Sequence, residues 1–174
     1  MIADLLHFSF TVSDIERSVA WYTDVLGLQL VHRQRQANEY TSILVGFEGA
    51  DLAVALFKIP GLDSRYSSHI LELIEYRSPR GRGGDLATNN VGVAHFALMV
   101  TDIHERYERL KQRGVVFVNP PVEATEGLNA GGWVCYFRDP DGITIEFVQP
   151  PPARLALILD VASGEAHADR SGGN

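Results

Sequence analysis

Cysteine is almost missing from this chain. Cys135 stands alone, which excludes a disulfide framework and any zinc site built on paired cysteines. A lone thiol suits a reducing compartment. Long apolar runs are missing too: none approaches the ~20 residues that cross a bilayer as a helix, so no membrane partner is expected. Basic residues are in deficit, with 15 Lys and Arg against 22 Asp and Glu and a formal net charge of −7. A nucleic-acid surface needs a basic face, so no nucleic-acid partner is expected, although a local cationic pocket remains allowed. The opening Met1-Ile2-Ala3-Asp4 lacks the basic-then-apolar pattern of a signal peptide, and the expected location is cytoplasmic. What is present is ordinary globular material, 174 residues at 45% hydrophobic. That suffices for one compact domain or two small modules sharing a core.

The chain repeats itself. Leu5-Leu6-His7-Phe8-Ser9-Phe10-Thr11-Val12-Ser13-Asp14-Ile15 returns as Val93-Ala94-His95-Phe96-Ala97-Leu98-Met99-Val100-Thr101-Asp102-Ile103. The His-Phe pair, the Val five residues after the His and the Asp-Ile pair recur in register, with His to Asp seven residues in both copies. A repeat at fixed offset over half a chain means one structural unit used twice.

Each copy reads as a strand followed by a helix. In the first, Phe8, Phe10 and Val12 alternate with His7, Ser9 and Thr11, so the two sets point to opposite faces. Ser13-Asp14-Ile15-Glu16 has the form of a capping box with Ser13 as N-cap. Ile15, Val19, Tyr22 and Leu26 make the apolar stripe of the helix, and Gly27 stops it. Strands are expected at 28–33, at 41–47 with 52–58 as a hairpin, and at 69–76. The break at Pro60-Gly61-Leu62-Asp63 separates the last two. The second copy has a helix on Ile103, Tyr107 and Leu110 ended by Gly114, then a strand at 115–118 and a long Pro- and Gly-rich loop over 119–132. A hairpin of Trp133–Phe137 with Ile143–Val148 turns on Asp139-Pro140-Asp141-Gly142. The expected organisation is a first βαβββ module at 1–77, a linker at 78–90, a second βαβββ module at 91–149 and a C-terminal extension at 150–174. In that extension 154–162 is a short helix or strand packing on the body or on a partner subunit, followed by a loose tail from Glu165. The linker arginines Arg77, Arg80 and Arg82 read as solvated charge rather than as an anion site.

Chemistry concentrates at four positions. Each module opens a strand with a histidine and closes its last strand with a glutamate: His7 and Glu72 in the first, His95 and Glu146 in the second. Alternation puts His7 with Ser9 and Thr11, His95 with Ala97 and Met99, and Glu146 with Thr144 and Val148. A lone strand histidine is ordinarily a satisfied polar residue, and a lone glutamate at a strand end is ordinarily solvated. The same pair in both copies is different: two neutral imidazoles and two carboxylates can neutralise and coordinate one divalent cation, leaving a position for water or substrate. Glu75 lies on the opposite face from Glu72, so only one of them serves. His32, His104 and His167 read as structural or solvated, and His69 as a surface residue near a pocket rim. Trp133 and Phe137 read as wall or core, and Cys135 as packing.

At these residues the chain resembles the vicinal oxygen chelate superfamily, the glyoxalase, bleomycin-resistance and dioxygenase group. The resemblance rests on His7 to Asp14, on Trp21-Tyr22-Thr23-Asp24-Val25-Leu26-Gly27-Leu28, on Leu71-Glu72-Leu73-Ile74-Glu75, on the His95 strand and on Arg138-Asp139-Pro140-Asp141-Gly142-Ile143-Thr144-Ile145-Glu146. It spans about residues 4–149. It implies an α+β fold of paired βαβββ modules forming a cupped mixed sheet round a metal, with helices on the outer face. It also implies Glu72 rather than Glu75 as ligand. The set His7, Glu72, His95 and Glu146 is similar to that of glyoxalase I and close to that of the epimerases, and favours enolate or enediolate chemistry over oxygen activation. Thr11 stands where bacterial glyoxalase I has an arginine for glutathione. Ser42 and Asp139 stand where the epimerase has an acid and a histidine.

The expected function is a divalent-metal-dependent lyase or isomerase, glyoxalase I-like or epimerase-like. The metal, one of Ni, Co, Zn, Mn or Fe, polarises a carbonyl, and Glu146, or Glu72 second, moves the proton. The expected partners are a small-molecule substrate and a second copy of the chain. The loop at 119–132 serves either as a closing lid or as a plain connection. Two rivals stand beside this reading. An extradiol-type dioxygenase would need Fe(II) and would consume oxygen with a catechol. A small-molecule binding or resistance protein would bind no metal.

Overall fold

A computed structural model describes residues 6–60 and 70–163. The fold is α+β, and the chain divides into two compact units, Met1–Asp85 and Leu86–Asn174.

In the first unit, strand β1 (His7–Thr11) leads into helix α1 (Ile15–Asp24), followed by β2 (Gln29–Gln36), α2 (Glu39–Val45), β3 (Asp51–Lys58) and β4 (Ile70–Ser78). The strands form one mixed sheet in the order β1-β4-β3-β2, with β1 parallel to β4 and the other pairs antiparallel. Helix α1 lies against β2, β3 and β4. Its buried side chains are Ile15, Ser18 and Tyr22, and Tyr22 meets Phe57 of β3 at 5.8 Å between ring centroids. Burying a large apolar side chain of this kind contributes roughly 1.5–3 kcal/mol, so the Tyr22, Phe57, Leu71 and Leu73 cluster fixes which face of the sheet the helix covers. The opposite face is left to His7, Ser9 and Thr11, all exposed.

The second unit repeats the plan. Strand β5 (His95–Met99), helix α3 (Ile103–Gln112), β6 (Val116–Phe117), β7 (Val122–Glu123), β8 (Trp133–Arg138) and β9 (Thr144–Gln149) are followed by helix α4 (Pro152–Ser163). The sheet order is β5-β9-β8-β6, with β7 also on β8. Its core gathers Phe96, Ile103, Leu110, Phe137, Ile145 and Phe147. The Asp139 turn forms as expected: buried Asp139 accepts from the backbone N–H of Asp141 (2.9 Å) and of Ile143 (2.8 Å) through Oδ1. The extension from 150 is helical, started by Pro152 at its first position, where a missing N–H costs nothing. Arg154 ties it to the unit through Leu128 O (3.0 Å) and Asn129 Oδ1 (2.7 Å). No described helix is long and apolar enough to cross a membrane.

Three local expectations are corrected. Residues 41–47 are not a strand: α2 occupies Glu39–Val45, and the hairpin is β2 with β3. The run is rich in β-formers, but caps override it. Asn38 Oδ1 accepts from both Thr41 N and Thr41 Oγ1 at 2.9 Å, and Gly46 closes the helix at φ 74°, a left-handed conformation that a side chain would strain. The N-cap of α1 is Asp14, not Ser13. Asp14 accepts from Glu16 N and Arg17 N, while Glu16 pairs with Arg33 instead of reaching back. The 119–132 loop carries β7 and a single 3₁₀ turn, Gly127–Asn129, and hydrogen bonds tie it down at Ala124, Gly131 and Gly132. Gly132 is held closest: an added Cβ would lie 2.3 Å from the Gln149 carbonyl oxygen. His69, His167, the 61–63 part of the break after Pro60 and the tail from Glu165 lie outside the described residues.

Candidate functional site: two histidine–glutamate pairs

In the first unit, parallel pairing sets Ser9 beside Glu72. His7, two residues earlier on β1, shares that face, and its Nε2 stands 3.5 Å from Glu72 Oε2. The second unit reproduces this. Ala97 pairs with Glu146, His95 stands two residues earlier, and its Nε2 is 3.4 Å from Glu146 Oε2. Both imidazoles are well exposed, at 42% and 41% of the side chain, and both carboxylates are less so, at 16% and 18%. The pairs are therefore equal in offset, distance and exposure. They are the four residues singled out from the sequence, brought together two by two. Among the described residues no group of three or more His, Cys, Asp or Glu side chains gathers that could hold a metal ion.

The separations matter chemically. A good N–H···O hydrogen bond is about 2.9 Å, and both pairs are longer. Two N/O ligands each about 2.0–2.2 Å from one divalent ion stand about 3.0 Å apart at a right angle and about 3.4 Å apart at the tetrahedral angle. The donor types and the spacing of each pair fit two neighbouring ligands of one ion.

Glu75 has a different task. It is buried, on the helical face with Leu71 and Leu73, and its Oε2 accepts from Ile15 N (3.2 Å) at the start of α1. Arg77 and Arg80 lie 3.7 and 3.8 Å from it. The second unit uses Gln149, three residues after Glu146, in the same way: Gln149 Oε1 accepts from Ile103 N at 2.9 Å at the start of α3. One carboxylate of the Glu72-x-x-Glu75 run faces His7, and the other closes a helix end.

Two residues that the sequence left aside share the faces of the pairs. Tyr136 is the cross-strand partner of Glu146, and its hydroxyl is 3.4 Å from His95 Nε2. Burial, with the Glu146 charge adding to it, pushes its phenol pKa up, so the hydroxyl keeps its proton at neutral pH. The first unit has Leu56 at the matching place opposite Glu72. Counting back from a four-residue Asp139–Gly142 turn pairs Tyr136 with Ile145; the backbone closes instead between Asp139 and Ile143, and that one-residue difference sets Tyr136 opposite Glu146. His32, read as structural or solvated, stands opposite Leu56 and so lies on the face of His7 and Glu72. By contrast His104 packs edge-on against Trp133 at 4.5 Å, on the helical side, and Phe137 is core between Phe117 and Phe147. Cys135 is fully buried; burial, with the nearby Glu146 charge, pushes its thiol up to about 11, which keeps it an unreactive packing group.

Comparison with known proteins bears on this arrangement. Residues 4–147 match the Glyoxalase/Bleomycin resistance protein/Dioxygenase superfamily. A 2-epi-5-epi-valiolone epimerase of Actinomyces sp. is 28% identical over 83% of this chain and 78% of its own. A lactoylglutathione lyase of Haemophilus influenzae is 25% identical over 88% of this chain and 97% of its own. The chain spans under half, 44%, of a lactoylglutathione lyase of Arabidopsis thaliana, to which it is 26% identical. Among solved structures, a glyoxalase family protein from Bacillus cereus superposes with TM-score 0.72 at 20% identity over 87% of this chain and 96% of its own. With a strand, a helix and a mixed sheet repeated in two units, each carrying a His–Glu pair, and a family match over most of its length, the chain belongs to the Glyoxalase/Bleomycin resistance protein/Dioxygenase superfamily.

Proposed function

We propose that the chain is a divalent-metal-dependent enzyme that moves a proton beside a carbonyl group, in the manner of a glyoxalase I-like lyase or an epimerase. The observation that carries this is the duplicated pair: His7 with Glu72 and His95 with Glu146, at 3.5 and 3.4 Å. Neither pair alone supplies the three or four protein ligands a catalytic ion ordinarily takes. The proposed site therefore needs both pairs, four ligands in all. We assign one pair to each module, joined within a chain or between the two chains of a homodimer, with module boundaries near the 78–90 linker.

A divalent cation held by these four side chains supplies Lewis-acid stabilisation to charge developing on the substrate's carbonyl oxygen. The chain's own residues do the rest. Glu146 is the base: its carboxylate takes the proton from the carbon next to the carbonyl and returns it to the neighbouring carbon or to the other face. Glu72 is the second candidate for that task. Tyr136, protonated and beside both His95 and Glu146, offers a hydroxyl donor to a substrate oxygen. Relatives named as lactoylglutathione lyases and as an epimerase support this class of chemistry.

The test combines metal analysis with isotope exchange. Purified protein should hold about one Ni, Co, Zn, Mn or Fe per pair of modules, and His95→Ala should release it. Deuterium from solvent should enter a 2-oxoaldehyde hemithioacetal, a 2-substituted acyl-CoA or another enolisable carbonyl compound. Glu146→Gln should abolish that exchange while weakening metal binding less. A variant with full exchange would remove Glu146 from the mechanism, and metal content unaffected by His95→Ala would remove the site.

A further inference from the structure

The face of the first unit that carries His7 and Glu72 has a composition of its own. Register gives it row by row. Ser9, Glu72, Leu56 and His32 stand side by side across β1, β4, β3 and β2, and Thr11, Ile74, Val54 and Gln34 form the next row. Neighbouring strands are about 4.8 Å apart, so His32 stands about 10 Å from the Glu72 column and Ser9 about 5 Å on its other side. Ser9, Thr11, His32 and Gln34 are exposed. They present hydroxyls, an imidazole and a carboxamide, groups that both donate and accept. Leu56, partly buried, lies between Glu72 and His32 as an apolar floor.

Positive charge is scarce on this face. Arg33 and Arg35 stand opposite Ala55 and Ala53, on the helical side, and are paired with Glu16 and Asp51. Arg77 shares the side of Glu75. Among the described residues of this sheet, Lys58, at the strand end opposite Gln29, is the one Lys or Arg on the open face. A single exposed lysine is poor provision for a multiply anionic ligand.

His32 faces this way because of a backbone irregularity. Leu30 pairs with Phe57 on the helical face, and simple alternation would send His32 there too. The register shifts between Leu30 and His32, so that His32 pairs with Leu56 instead. A bulge of this kind re-aims side chains and occurs beside active sites. His32 Nε2 and Gln34 Oε1 are 3.3 Å apart. With Nε2 as donor, the Gln34 amide N–H groups and His32 Nδ1 remain for a ligand.

We infer that Ser9, Thr11, His32 and Gln34 form a recognition strip for the hydroxyl groups of a neutral polyhydroxylated ketone, and that His32 and Gln34 are its specificity-determining residues. This deepens the reading of the metal-dependent site and rests on it for the reacting carbonyl. An apolar floor for C–H groups, flanked by uncharged donors and acceptors, suits a polyol and gives an anionic thiol adduct no cation beyond the single Lys58.

The experiment measures binding and turnover separately. Isothermal titration of the metal-loaded protein uses three neutral probes (2-keto-myo-inositol, D-fructose and 1,3-dihydroxyacetone) and one anionic probe, the glutathione hemithioacetal of methylglyoxal. At least one neutral ketone should bind, and His32→Ala and Gln34→Ala should each weaken it about fivefold to tenfold, the effect of one lost hydrogen bond. Metal content and thermal unfolding should stay as in the unchanged protein, because both side chains are exposed. Absence of binding by all three neutral ketones overturns the inference, as does binding that ignores both substitutions or a preference for the hemithioacetal that does not depend on His32. If a ketone binds through His32 and Gln34 but no deuterium exchange follows, the strip stands and the proton-transfer reading falls.

Discussion

Glu72 and Glu75 are three residues apart on one strand, and exchanging their roles would undo the account of the first unit. Consider Glu75→Ala. The change removes the acceptor for Ile15 N, a helix-cap bond of the kind that contributes about 0.5–2 kcal/mol. It also leaves that N–H unpaired in a buried place, at roughly 1–3 kcal/mol. The two figures describe one event and overlap, so the expected loss is about 2 kcal/mol. Arg77 and Arg80 are exposed at 39% and 73% of the side chain and lie 3.7 and 3.8 Å from Glu75, so their share is small. For a chain of this size 1 kcal/mol moves Tm by roughly 2–4 °C, giving a fall of about 4–8 °C by circular dichroism. Glu75→Gln should cost far less, well under 1 kcal/mol by the same cap scale, because Gln149 already performs this task at Ile103 N with a neutral amide. Glu72→Gln should leave Tm within about 1–2 °C and lower metal content instead. The reasoning is refuted if Glu75→Ala releases metal at unchanged Tm, or if Glu75→Gln unfolds the protein as readily as Glu75→Ala.

Two further outcomes follow from buried groups. Cys135, with its thiol pushed up to about 11 from an ordinary value near 9, should resist iodoacetamide in the native protein at pH 8 and react only on unfolding. Because the folded state holds that proton more tightly than the unfolded state, this residue's contribution is complete below about pH 9 and is lost as pH rises through about 11; a Cys135→Ala variant should lose less stability over that window in urea titrations. Asp139→Ala removes the acceptor of two backbone N–H groups at 2.9 and 2.8 Å and should cost about 1–3 kcal/mol in urea unfolding.

The sequence by itself determined what depends on near neighbours. Alternation placed His7, His95 and Glu146 on the face away from the helices, since successive strand residues point to opposite sides whatever lies beyond them. The repeat fixed that there are two units, and the Asp139-Pro140-Asp141-Gly142 turn marked its hairpin. Tertiary structure decided what depends on distant partners. The N-cap passed from Ser13 to Asp14 because the Asp14 carboxylate takes up Glu16 N and Arg17 N, while the Glu16 side chain is taken up by Arg33. The 39–45 segment became helix because Asn38 and Gly46 cap it while β2 pairs directly with β3. His32 reached the open face only through a register shift, and Tyr136 came beside His95 only by way of a strand 41 residues along the chain. Alternation is a property of the strand alone, whereas register is set by the partner strand and its bulges; one slipped residue reverses a side chain's face.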